Sequence, residues 1–229
     1  MARLLSHNLY NLPLEKSTMV EYGRQAVHIS MGLLTVLLRF LTKLQALSVC
    51  VLALFAGFFL LRPKGLLGVG FNVMAREEDR EFGYLIGPLI YIVTTTVCLA
   101  ILPLGFGGAA MMIMAFGDGF SNIIGSKWGK HRNPLDHEKT IEGSVSFLLF
   151  AFIASSFIMW FVGKPVLPLG IVFLLAAKGS FMGMLVESLP WIRWRKKRRG
   201  FLWRIILDDN LFVPLMSGLT ILVVYSILI

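Results

Sequence analysis

The sequence predicts an all-α integral membrane protein with about seven transmembrane helices, on three observations. Hydrophobic residues make up 56% of the 229 positions and charged residues only 15%, a balance soluble domains of this size rarely reach. The apolar residues are blocked into continuous runs close to the roughly 20 residues that cross a bilayer as a helix. Those runs do not alternate with polar residues. A backbone in lipid must satisfy its own hydrogen bonds, so helices are preferred over a closed barrel.

The runs predict spans at about Arg24–Leu38, Leu44–Leu61, Tyr84–Leu102, Gly105–Ile124, Ser144–Val162, Val166–Glu187 and Leu211–Ile229. The first is short and suits a tilted or deeply packed helix. Pro103-Leu104-Gly105 and Gly163-Lys164-Pro165 read as tight turns between successive spans. Met1 to Tyr22 has no apolar core before a small-residue site, so no cleavable signal is expected and the first span serves for insertion. Residues 1–23 then form a cytoplasmic segment. Residues 24–229 form a single membrane domain with cytoplasmic loops at 62–82, 125–143 and 188–208.

Charge sets the orientation. Eighteen of the 22 Lys and Arg residues fall in the N-terminal stretch through Arg24 and those three loops; only Arg39, Lys43 and Lys164 fall in the opposite loops, and Lys178 lies within a span. The positive-inside rule makes the N-terminus cytoplasmic and the C-terminus external. The net charge of +9 is thus a topological signal, and no nucleic-acid partner is expected. The expected location is a prokaryotic cell membrane, or an endoplasmic reticulum or plastid membrane in a eukaryote. Cys50 and Cys98 sit in apolar runs and suggest packing, not a disulfide or zinc site.

Acidic residues follow the same asymmetry. The opposite loops contain no Asp or Glu, and Asp118 alone lies inside a span. A transporter needs polar groups through the full membrane thickness, so one-sided acids favour chemistry on a cytosolic substrate. A carboxylate within a span costs about 2.5–3.5 kcal/mol on insertion scales. Asp118 is about 13 residues, or about 20 Å, from the outer turn, which places it toward the cytoplasmic third. Ser121, Asn122 and Gly125 follow at i+3, i+4 and i+7 on one helical face. The glycines at 117, 119 and 125 allow a backbone or ligand to come close. The alternative is a structural ion pair, with Lys178 as the candidate partner.

The loop that follows, Ser126 to Ser144, brings Lys127, Lys130, Arg132 and Lys139 together with glycines and hydroxyls. Cations beside a helix N-terminus at Gly143-Ser144 are what a polyphosphate requires, although a headgroup-contacting loop has similar composition. No Walker A, protein-kinase or dinucleotide fingerprint is present. Glu21, Arg24 and His28 share a face at the start of the first span; Glu187 closes the sixth; Asp208-Asp209-Asn210 opens the seventh. Carboxylates from several spans at one depth suit Mg²⁺ held by carboxylates and substrate phosphates. His131 and His137 lack ligand spacing and read as solvated. Arg193–Arg199, beside Trp191, Trp194 and Trp203, reads as an anionic-lipid anchor with interfacial aromatics.

Gly117-Asp118-Gly119 with Gly125 and Gly129-Lys130, then Lys139-Thr140-Ile141-Glu142-Gly143-Ser144, resembles the signature of the polyprenol kinase family, which includes dolichol, phytol and farnesol kinases and CTP-dependent diacylglycerol kinases. Glu21-x-x-Arg24-x-x-x-His28, Arg76-Glu77-Glu78-Asp79, Glu187-x-x-Pro190 and Asp208-Asp209-Asn210-Leu211 match further pieces in order, over residues 21 to 215. Gln25 replaces a Lys of the opening motif. Ser121-Asn122 departs from phytol-kinase-like members, while the chain length matches them.

The resemblance implies transfer of the γ-phosphoryl group of CTP to a membrane isoprenoid alcohol, with Mg²⁺ or another divalent cation. On that reading Asp118, Glu142 and Asp209 are catalytic candidates. Ser121, Asn122, Lys127, Lys130, Lys139, Thr140, Gly143 and Ser144 contact the nucleotide. Asp118, Asn122, Glu187 and Asn210 hold metal, and Glu21, Arg24, His28, Lys178 and Asp208 support the site. Diacylglycerol as acceptor, a cytidylyltransferase acting on a lipid phosphate, a transporter and a non-enzymatic scaffold are the competing readings. The oligomeric state is open.

Overall fold

A computed structural model describes residues 14–60, 71, 75, 79–80, 83–164, 166–191, 194 and 201–228, with the side chains of 14–22, 24, 201, 202 and 204 outside the description. The described residues are helical and contain no strand. In chain order they form α1 (Leu14–Leu33), which tightens into a 3₁₀ stretch (Leu34–Phe40), α2 (Lys43–Leu60), α3 (Ile86–Ile101), α4 (Leu104–Met112), a π-helical turn (Ile113–Asp118), α5 (Gly119–Trp128), α6 (Ile141–Val162), α7 (Leu169–Glu187), α8 (Phe201–Ile206) and α9 (Asp209–Leu228). Four of these are long and apolar enough to cross a membrane: α2, α6, α7 and α9. Shorter apolar helical stretches cover Gln25–Phe40 and Ile86–Ile101.

The expected spans correspond to these elements, with shifted ends. α1 begins upstream of Arg24, and the Thr35 hydroxyl donates to the Gly32 carbonyl at 2.7 Å where the helix tightens. Pro168 precedes α7, so that helix starts at Leu169 and not at Val166. α9 starts two residues before the expected Leu211, because the Asp208 carbonyl accepts from the N–H groups of Leu211 and Phe212. α8 was not expected; it lies within the 188–208 loop.

The fourth expected span is the axis of the fold. From Gly105 to Ala115 every residue is buried, enclosed by α1, α6, α7 and α9 around the π turn. A helix apolar on all sides belongs at a bundle centre. α2 is the opposite case: of its residues only Ala46 and Gly57 are buried, and Leu52 and Phe55 project outward, as a lipid-facing helix requires.

Close approach at the axis depends on missing side chains. A Cβ on Gly117 would stand 2.6–2.8 Å from the Phe147 ring of α6, and that ring is fully buried. Gly117→Ala is therefore expected to destabilise the bundle by about 1–3 kcal/mol, read as a lower unfolding temperature in detergent. At the end remote from Asp118 the two tight turns meet, with a Gly105 Cβ position 2.9 Å from the Gly163 Cα. Two of the three loop cations at that end are engaged: Lys43 donates to the Leu102 carbonyl at 3.1 Å, capping α3, and the Arg39 guanidinium lies 5.8 Å from the Phe161 ring centre.

Candidate active site

The π turn ends at Asp118, where the axial helix resumes as α5. Single π turns inserted in α-helices often mark functional positions. The Asn122 amide donates to Asp118 Oδ1 and to the Asp118 carbonyl, both at 2.9 Å, and the Ser121 hydroxyl donates to the same carbonyl at 3.1 Å. The face predicted from i, i+3 and i+4 spacing is thus formed.

Gly117, Ser121, Gly125 and Gly129 recur every four residues and let α5 cross the start of α6 at close range. A Cβ on Gly143 would meet the Ser121 carbonyl at 3.0 Å, and one on Gly125 would meet Thr140 Oγ1 at 2.9 Å. Thr140 is the N-cap of α6, its hydroxyl accepting from the Gly143 N–H at 3.2 Å.

The loop between α5 and α6 is folded, not open. Arg132 and Thr140 form an antiparallel bridge. The Asn133 N–H donates to the Lys139 carbonyl, and the Ile141 N–H to the His131 carbonyl. Buried Asn133 donates from its amide to Ser144 Oγ at 2.9 Å and Ser188 Oγ at 3.2 Å, tying the loop to α6 and to the end of α7. Buried Asp136 accepts from the Glu138 N–H. Neither Asn133 nor Asp136 was singled out in the sequence. The signal available was the Asn-Pro-x-Asp run, typical turn chemistry.

Lys139 reaches across to α7, where its ammonium donates to both the carboxylate and the backbone carbonyl of Glu187. The Glu187 side chain is 5% exposed and that of Lys139 is 23% exposed. Burial disfavours the ammonium's charge, but the Glu187, Asp209 and Asp118 carboxylates more than offset this and hold the Lys139 pKa above its ordinary value. Three acids from three separate helices therefore act on one cation, with Glu187 in direct contact.

Between α5, the loop, α6 and α7 lies a cavity of about 330 Å³. Its walls come from Ser121, Asn122, Gly125, Ser126 and Gly129 on α5 and its end, Arg132, Glu138, Lys139 and Thr140 in the loop, Gly143 and Ser144 on α6, and Glu187. Not one of these side chains is apolar. Ligand pockets run from about 300 to 1,000 Å³ and are mostly apolar. This one is small and lined by polar side chains and glycines, which suits phosphates better than a lipid tail.

The structure brings together Asp118, Ser121, Asn122, Lys139, Thr140, Gly143, Ser144, Glu187 and Asp209, and separates others from them. Glu142 is turned away: its carboxylate meets the His131 ring Nδ1 at 2.7 Å and the His131 N–H, outside the cavity wall. Lys127 stacks its ammonium over the Trp128 ring at 4.7 Å, and neither Lys127 nor Lys130 lines the cavity. Arg132 and Glu138 line it instead; the sequence placed Arg132 among the loop cations without assigning it a role. Asn210 donates its amide to Asp208 Oδ1 at 2.9 Å, and buried Asp208 also accepts the Asn210 N–H, so both serve the start of α9. His28 packs edge-on against Tyr91 of α3, with ring centres 5.2 Å apart.

Lys178 cannot be the partner of Asp118. It is exposed, and nine residues before Glu187 put it about half a turn out of phase and about 13 Å along α7 from the site-facing end. Trp191 is likewise corrected. It is buried, its Nε1 donating to the Val186 carbonyl and its ring stacked on Phe212 at 5.1 Å, and so does not present its ring to headgroups. His131 and His137 are exposed as expected. Both cysteines are free thiols. The side chains of Glu21 and Arg24, the Arg76-Glu77-Glu78 run, and Arg193 with 195–199 lie outside the described residues.

Among the described residues, no three of His, Cys, Asp and Glu form a metal-holding group by themselves. Mg²⁺ does not need three; one or two carboxylates with substrate phosphates suffice. Asp118, Asp209, Glu187 and Glu138 against Lys139 and Arg132 leave formal negative charge around the cavity, which repels a bare polyphosphate. The residues therefore fit a divalent cation arriving with its phosphates.

No family model and no solved structure matches the chain. Curated proteins are. Probable phytol kinase 1, chloroplastic, of Glycine max is 29% identical over 212 residues, 85% of this chain and 64% of that protein. The curated relatives are kinases of isoprenoid alcohols. Probable phytol kinase 3, chloroplastic, of the same plant is 30% identical over 85% of this chain and 60% of its own length. Farnesol kinase, chloroplastic, of Arabidopsis thaliana is 28% identical over 86% of this chain and 63% of its own length. The resemblance read from residues 21 to 215 is thereby borne out, and the chain spans a little under two thirds of the length of these relatives. The prokaryotic cell membrane expected from sequence is overturned, since the relatives are chloroplastic plant proteins and point to a plastid membrane.

Proposed function

We propose that the chain is a lipid alcohol kinase that transfers the γ-phosphoryl group of a nucleoside triphosphate, CTP by family resemblance, to an isoprenoid alcohol. The observation that carries this reading is the cavity lined by polar side chains at one end of an apolar bundle, beside Asp118 at a helical discontinuity. The phytol and farnesol kinases among the relatives supply the acceptor class.

Phosphoryl transfer asks for positioning and charge neutralisation more than covalent chemistry. The acceptor hydroxyl oxygen forms a bond to the γ-phosphorus, the bond from phosphorus to the β,γ-bridging oxygen breaks, and the nucleoside diphosphate leaves. Asp118 takes the hydroxyl proton or holds metal, its carboxylate aimed by the Asn122 amide. Lys139, held by Glu187, fixes the loop against α7 beside the phosphates. Asp118, together with the substrate phosphates, would hold a divalent cation, which would supply charge neutralisation at the site. The isoprenoid tail stays in lipid beside the bundle, since the cavity has no apolar wall to receive it. Seven membrane crossings, with the site on the face of the basic loops, complete the arrangement.

Product analysis tests the reading. A kinase releases nucleoside diphosphate and a lipid monophosphate; a cytidylyltransferase releases pyrophosphate. Purified protein given CTP and phytol or farnesol is expected to yield the first pair, and pyrophosphate would sink the kinase reading. Chelation of divalent cations with EDTA is expected to lower turnover at least 100-fold, with recovery on adding Mg²⁺. Undiminished turnover in EDTA would remove the metal from the account.

A further inference from the structure

We infer that Arg132 is the principal residue that recognises the nucleotide's phosphates, in place of Lys127 and Lys130. The inference rests on the proposed phosphate site and assigns its specificity. Four described cations lie on or beside the loop next to Asp118, Lys127, Lys130, Arg132 and Lys139, and only Arg132 and Lys139 reach the cavity wall. Lys139 is committed: Glu187 holds it through two acceptors, and the charges of Asp209 and Asp118 act on it as well. Its charge is balanced inside the protein before any ligand arrives. Arg132 is exposed, lines the cavity, and has no ion pair among the described residues.

The backbone under Arg132 is fixed. Arg132 pairs with Thr140 across the bridge, and side chains of directly opposed residues in an antiparallel pair share a face. Thr140 lines the cavity, and so does Arg132. Its chain neighbours are both anchored, His131 through Glu142 and Asn133 through Ser144 and Ser188. A guanidinium offers a planar fork that meets two phosphate oxygens at once, which an ammonium does not.

Several donors at the start of α6 are already engaged within the protein. At the N-terminus of α6 the Ile141, Gly143 and Ser144 N–H groups donate to His131, Thr140 Oγ1 and the Thr140 carbonyl. The Ser144 hydroxyl donates to the Thr140 carbonyl as well. Among the described residues, phosphate oxygens entering the cavity therefore meet Arg132 as its uncommitted cation.

The test uses the full chain in lipid nanodiscs and Mg²⁺ with inorganic tripolyphosphate, a probe that needs neither a base nor an acceptor alcohol. Arg132→Ala is expected to weaken binding about 10-fold or more, the loss of a charge-assisted contact. Arg132→Lys should recover only part of that loss. Lys127→Ala and Lys130→Ala should each weaken binding at least fivefold less than Arg132→Ala. Equal unfolding temperatures for wild type and Arg132→Ala separate contact loss from loop collapse. Binding by Arg132→Ala within threefold of wild type, an equal loss in either lysine variant, or no binding by wild type overturns the inference. Arg132-dependent binding without lipid phosphorylation keeps the inference and removes the kinase reading. Lipid phosphorylation with binding indifferent to Arg132 does the reverse.

Discussion

Asp118→Asn is expected to reduce phosphoryl transfer by about 10²–10⁴-fold, the range associated with losing a positioned acid–base group, while membrane insertion and unfolding temperature stay close to wild type. The substitution keeps the size of the side chain and removes its charge. Asn122 donates to Asp118 Oδ1, and an amide oxygen at the same place still accepts that bond. The helix should therefore hold its shape, and the lost property is the carboxylate's ability to take a proton or bind metal. Steady-state rates with CTP and farnesol, beside a thermal melt of the same preparation, provide the check. Wild-type turnover in this variant would remove Asp118 from the chemistry.

Lys139→Met is expected to act differently, lowering stability by about 3–5 kcal/mol as well as activity. Glu187 is buried, and Lys139 is the cation that compensates its carboxylate. Removing one partner of a buried pair leaves an uncompensated charge, which is the costly case, whereas replacing both with apolar groups is often neutral. The double variant Lys139→Met with Glu187→Met should accordingly recover most of the lost unfolding temperature and none of the activity. If the double variant is as unstable as the single one, the bridge is not the source of the effect. If it is active, neither residue serves the reaction. The loop adds its own connection to α7 through Asn133 and Ser188, so part of the loop geometry should survive the double substitution.

The bundle was legible because run length and charge asymmetry are one-dimensional signals. α6, α7 and α9 could be read from apolar length alone, and their ends moved by only a few residues, where Pro168 and Asp208 set the start. The π turn left no mark in the sequence. No Pro interrupts Ile113–Asp118, and the extra residue per turn becomes visible only once Gly117 and Phe147 are packed. Helical spacing correctly placed Asp118, Ser121 and Asn122 together. It could not predict which way the loop cations point, because Arg132 is oriented by a cross-loop pairing with Thr140 eight residues on, and Lys139 by Glu187, 48 residues on. Glu142 illustrates the same limit. Its neighbours in the motif, Thr140 and Gly143, line the cavity, but the first turn of α6 aims the carboxylate itself at His131. Lys178 misleads for a simpler reason: its place within the span says nothing of which face of α7 it occupies.

The most direct measurement is transfer of label from γ-³²P-labelled CTP to phytol, farnesol, a long-chain polyprenol and diacylglycerol, with the purified chain in nanodiscs containing Mg²⁺. The polar cavity beside Asp118 predicts a labelled monophosphate of phytol or farnesol, formed by the wild type and absent with Asp118→Asn. Label that stays in the nucleotide with every acceptor, or that reaches lipid equally well in the Asp118→Asn protein, would contradict it.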